Sequence, residues 1–266
     1  MNKTLLWTLA PFLAATSALS ATPRQPAKPP VVLVHGAWET SSIWEAVAAK
    51  LKRDGYRVQV VTLPGRPGNL AVPGQVTMES YRQVISVAIA KDKAPVVLVG
   101  HSFAGFPISV VAEAEPARIK TLVYLAAYLP QDWQSLLGVA TADRDSKAGP
   151  AVQIDKDHGL VTIAPEARTG LFANDAPPRV GAAVAAAIVP EPLGPLATPV
   201  HLSAKFAGVD KAYVHTARDQ VVSPALQTSM VAATAVRLEQ TLDTGHTPFV
   251  TNPDGVAAAI EAAIRR

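Results

Sequence analysis

Cysteine is absent from the 266 residues, so the chain has no disulfide framework, no thiolate metal site and no thiol nucleophile. Charge is sparse too. Charged residues make up 17% of the chain, and the 24 basic and 21 acidic ones are spread without a block of one sign. Such a pattern gives no support to nucleic-acid binding. A net charge of +3 with 49% hydrophobic residues also argues against disorder. No apolar run reaches a confident membrane span, because the stretch 5–19 is interrupted by Pro11 and Thr16. What remains is a globular chain, long enough to bury about 75% of its unfolded surface without a staple.

The first twenty residues read as a targeting segment. Lys3 supplies a positive start, an apolar stretch follows, and Ala18 and Ser20 are the small side chains a signal peptidase requires for cleavage after Ser20. The expectation is an exported protein, periplasmic or secreted, with no stable membrane insertion after cleavage. Residues 21–30, with four prolines, read as a short extended leader.

From residue 31 onward strands and helices alternate. Strands are expected at 31–34, 57–63, 95–99, 121–126, 211–216 and 237–242, from short runs rich in Val, Leu and Ile. Helices are expected at 42–53, 78–91, 103–113, 224–233 and 253–264, the last capped by Asn252. Strands separated by helices need crossovers, and crossovers build a parallel sheet covered on both faces. The stretch 130–199 breaks the rhythm. It is rich in Ala, Pro and Gly, shows no strand signal, and reads as a cap of short helices, one at 179–188. The expectation is one α/β domain over 31–266, with about six parallel strands and an inserted helical cap. Trp133, Leu136, Leu137, Leu171, Phe172 and Ile188 make that cap apolar.

The third strand runs into Gly100-His101-Ser102-Phe103-Ala104-Gly105, where a helix begins at once. A serine on such a turn has its hydroxyl lifted clear of the backbone, and the small Gly100 and Ala104 allow the turn to be tight. A nucleophilic serine needs a base. His246 follows the last strand, at the carboxyl edge of the sheet where Ser102 sits and where open parallel sheets bind ligands. His35 ends the first strand on that edge, and its better use is to brace the loop whose Ala37 N–H points at the reaction centre. His101 adjoins the serine but points elsewhere, while His158, His201 and His215 read as ordinary surface or core residues. For the carboxylate that orients the base, Asp219 follows the fifth strand, with Asp132 as the rival. Asp243 belongs to the start of the His246 loop.

Val31–Val34 with His35–Trp38, the 100–105 turn, the Asp219 turn and 245–249 together resemble the α/β-hydrolase superfamily. The likeness is to its branch of plant methyl esterases, hydroxynitrile lyases and bacterial esterases. The resemblance implies an oxyanion hole made by the N–H groups of Ala37 and Phe103, no metal or organic cofactor, and a small-molecule ester substrate cleaved through Ser102, Asp219 and His246. The lyases carry a lysine directly after the histidine, where this chain has Thr247, so hydrolysis is the expected chemistry. A lactonase, an amidase, a perhydrolase or a hydrolase-fold binding protein would share the pattern.

Overall fold

The computed structural model describes Met1 and residues 27–265. The expected signal segment, apart from Met1, and residues 21–26 of the leader lie outside the described residues. Among the described residues the strands are β1 (Val31–Val34), β2 (Val58–Val61), β3 (Val96–His101), β4 (Ile119–Leu125), β5 (Val152–Asp155), β6 (Leu160–Ile163), β7 (Glu191–Pro192), β8 (Lys211–Thr216) and β9 (Leu238–Leu242). Six of them form one sheet in the order β2-β1-β3-β4-β8-β9, and every neighbouring pair is parallel. This is the expected α/β class, a parallel sheet of six strands with helices on both faces.

Side chains alternate across a strand, so one strand can serve two cores. In β1, Val32 and Val34 join a core with Tyr81, Ile85, Phe103 and Ile108. Val31 and Leu33 face the opposite core with Trp44, Leu51, Phe249 and Ile260. The helices Met78–Ala90 and Gly105–Ala114 cover the first face; Glu45–Arg53 and Pro253–Ile264 cover the second. This double burial explains why the strand sequences are continuous apolar runs rather than alternating ones. Two helix starts follow from local chemistry. Thr77 and Ser80 form a reciprocal capping box, and the Asn252 side chain accepts from Gly255 N–H at 2.9 Å. No helix among the described residues is long and apolar enough to cross a membrane.

The segment between β4 and β8 departs from expectation. Its short helices include Leu136–Ala142 and Pro178–Ala187, but it also holds an antiparallel sheet in the order β5-β6-β7. The strand signal was weak for physical reasons. Two strands have four residues and the third has two, and β5 is largely exposed. The hairpin turn is closed by Asp155, whose carboxylate accepts from the His158 backbone N–H at 3.0 Å and from its ring at 2.7 Å.

Candidate active site

β3 extends to His101, two residues beyond the expected end, and Ser102 follows in a 3-10 turn, Ser102–Ala104, before the helix Gly105–Ala114 starts. Ser102 has φ +52°, a left-handed conformation that costs a non-glycine residue roughly 1–3 kcal/mol and persists only where packing enforces it. The enforcement is visible at two glycines. A Cβ on Gly100 would meet Ile108 at 2.8 Å and the Ala104 carbonyl carbon at 3.0 Å, and one on Gly105 would lie 1.8 Å from the Tyr128 carbonyl oxygen. Gly105→Ala is therefore expected to destabilise the fold by about 1–3 kcal/mol, as overpacking does. A denaturant melt checks this against Gly149→Ala, where an added Cβ meets nothing within 4 Å. Equal midpoints for the two variants would contradict the packing account.

The turn delivers Ser102 to a hydrogen-bonded chain. The Ser102 hydroxyl lies 3.0 Å from His246 Nε2. On the other side of the ring, Nδ1 is 2.8 Å from Asp219 Oδ2 and 3.0 Å from Oδ1. With Nδ1–H donating to the carboxylate, Nε2 is left to accept the serine proton. Asp219 is itself fixed, accepting from the Thr216 hydroxyl at 2.8 Å and from the N–H groups of Val221 and Val222 at 2.8 and 3.0 Å. All three side chains are buried. Asp132 is elsewhere, exposed and accepting from the His201 ring at 2.8 Å and from Leu202 N–H at 2.9 Å. Asp243 pairs with Arg218, and His215 with Glu239.

Two further histidines take opposite charge states for reasons the contacts supply. His35 Nε2 accepts from Leu63 N–H at 3.1 Å, leaving Nδ1–H for the Gly36 carbonyl at 2.9 Å. One acceptor and one donor require a neutral ring, and burial, with Arg66 nearby, lowers its pKa to about 4. His101 faces two acceptors instead, the Glu39 carboxylate at 2.9 Å and the His246 carbonyl at 2.8 Å. Burial alone would push His101 down, but the Glu39 charge outweighs it and holds the ring above the ordinary imidazole value. Glu39 is held low in turn by His101, against its burial. Its Oε2 also accepts from Gly36 N–H at 2.9 Å. This ion pair ties the loop after β1 to the backbone of His246, a link that adjacency in sequence did not suggest.

A cavity of about 240 Å³ opens beside Ser102, lined by Trp38, Phe103, Tyr128, Leu136, Val152 and Val221 among others, and among the described residues no cationic side chain lines it. The Ala37 N–H, next to Trp38, meets no acceptor among the described residues. The Thr247 hydroxyl donates to the Phe172 carbonyl.

Residues 31–259 match the family model for the alpha/beta hydrolase family. A carbendazim hydrolyzing esterase of Nocardioides sp. (strain SG-4G) is 37% identical over 110 residues, which is 41% of this chain and 46% of that protein. A putative chloroplastic methylesterase 13 of Arabidopsis thaliana is 26% identical over 245 residues, 85% of this chain and 54% of that protein. The chain thus spans about half the length of these curated relatives. Among solved structures, a pyrethroid hydrolase from Sphingobium faniae JZ-2 superposes with a TM-score of 0.76 at 22% identity, covering 89% of this chain and 97% of that one.

Proposed function

The chain belongs to the α/β hydrolase family, and on that premise we propose that it is a serine esterase acting on small carboxylic esters. The observation that carries the proposal is the continuous Ser102–His246–Asp219 chain at 3.0 and 2.8 Å. In the first step His246 Nε2 takes the Ser102 proton as Oγ attacks the ester carbonyl, and the N–H groups of Ala37 and Phe103 receive the developing oxyanion. Asp219 stabilises the imidazolium so formed. His246 then protonates the departing alcohol, and water attacks the acyl-enzyme by the same route. No step calls for a metal or organic cofactor.

The segment between β4 and β8 serves in this reading as the cap that shapes the substrate cavity. The apolar wall of that cavity favours esters with aliphatic or aromatic groups. It also disfavours cyanohydrin cleavage, whose leaving anion needs a nearby cation. The targeting segment at 1–20 would export the enzyme.

Incubation with a fluorophosphonate, followed by peptide mapping, is expected to label Ser102. A screen of p-nitrophenyl and methyl esters is expected to show Ser102-dependent hydrolysis, with no cyanide release from mandelonitrile above the uncatalysed rate. An unlabelled Ser102, or cyanide release without ester hydrolysis, would sink the proposal.

A further inference from the structure

Arg66, Tyr81 and Glu191 are all fully buried, and none of them belongs to the Ser102–His246–Asp219 chain. Their carboxylate is fully engaged. Glu191 Oε1 accepts from the Tyr81 hydroxyl at 2.9 Å. Oε2 accepts from the Arg66 guanidinium and from the Trp38 backbone N–H at 2.9 Å. Arg66 also donates from Nε to the Glu39 carbonyl at 2.9 Å. The loop 37–39 is thereby held from both ends by one buried ion pair, and Glu191 comes from β7, a strand of only two residues.

Trp38 is the focus of these bonds. Its φ is +61°, a conformation it cannot hold without outside support. Its carbonyl accepts from Val189 N–H at 2.9 Å, its indole N–H donates to the Val161 carbonyl at 3.0 Å, and its ring meets Phe172 edge-on at 6.2 Å. Every one of these partners lies in the segment between β4 and β8. A buried ion pair seldom stabilises a fold more than apolar packing of the same volume would, so its value lies in fixing geometry. The geometry fixed here is the peptide adjoining the Ala37 N–H.

We propose that Glu191, braced by Arg66 and Tyr81, is a positioning residue that sets the oxyanion hole by holding the strained Trp38 peptide. The cap is then part of the catalytic frame as well as the wall of the cavity. The inference rests on the serine esterase reading.

The test compares the wild type with Glu191→Gln, which keeps the shape and removes the charge. Four quantities are read: kcat and KM for p-nitrophenyl acetate, inhibition by a trifluoromethyl ketone that forms an oxyanion on Ser102, and inhibition by the product p-nitrophenol. A displacement of the order of 1 Å at a reacting group costs about 10²-fold. Glu191→Gln is therefore expected to lower kcat by about 10- to 100-fold with KM within about twofold. Ketone affinity should fall in parallel and product affinity should hold. Tyr81→Phe, which leaves the bond to Trp38 in place, should lose less and follow the same pattern. Unchanged kcat, or equal loss of ketone and product affinity, overturns the inference. If Glu191→Gln does not fold, Tyr81→Phe carries the same reading, and an unchanged ketone affinity there overturns it. Fluorophosphonate labelling of the wild type separates the two levels: a labelled wild type with unaffected variants removes only this inference, whereas an unlabelled one removes the esterase reading with it.

Discussion

Ser102→Ala is expected to lower kcat for a small aryl ester by about 10⁶-fold, the scale of loss when a triad serine is removed. Among the described residues no other hydroxyl is hydrogen-bonded to His246 Nε2. His246 Nε2 would be left without the proton donor it meets at 3.0 Å, and the protein has no cysteine to attack in its place. The fold should persist, because the deleted atom is one hydroxyl oxygen and alanine at φ +52° carries the strain that serine already carries. Steady-state kinetics with freshly purified variant, alongside a thermal melt, checks both halves. Retention of more than a few per cent of activity, with contamination excluded, would place the nucleophile elsewhere.

The second large effect belongs to the carboxylate. Asp219→Asn should reduce kcat by about 10⁴-fold, as expected when the imidazole loses the group that fixes its tautomer and stabilises its charged form. Asn can turn only one oxygen to its surroundings, yet Asp219 accepts from the Val221 and Val222 N–H groups at one oxygen and from Thr216 at the other, with His246 Nδ1 between. With the amide nitrogen turned to His246, the ring is driven to the tautomer whose Nδ1 accepts, and Nε2 then carries a proton and cannot take the one on Ser102. Asp132→Asn serves as the comparison, because Asp132 is occupied with His201 and Leu202 on the surface. Its kcat should stay within a few-fold of the wild type. The reverse ranking of the two variants would exchange their roles.

What was legible from the residues depended on whether the signal was local. The sheet strands are short runs of β-branched and aliphatic residues in a parallel arrangement, so β8 and the final helix fall where periodicity and capping place them. Ser102, Asp219 and His246 group from the sequence because each follows a strand, and parallel strands bring their carboxyl ends to one edge. Glu191 and Arg66 gave no such sign. A glutamate before a proline in a Pro-rich stretch reads as solvated, and only the burial of both partners makes the pair meaningful. The β5–β6 hairpin was missed because four-residue strands with one exposed face carry little alternation. His101 reads from the sequence as a bystander, because neighbours on a turn diverge. They do diverge, but the direction His101 takes leads to Glu39 and to the backbone of His246.

The parallel sheet has a consequence for how the chain comes together in time. With every neighbouring pair of the six-stranded sheet parallel, no two of its strands can be laid side by side by a tight hairpin, and each pairing must close a long loop first. β1 lies between β2 and β3, and β4 waits for β8 across the whole intervening segment. Chains dominated by such distant pairings fold slowly, over milliseconds to seconds. The turn that bears Ser102 packs on Tyr128, just after β4, but His246 arrives only after β9. On the esterase reading, Ser102 and its base are therefore brought together only once β9 is in place.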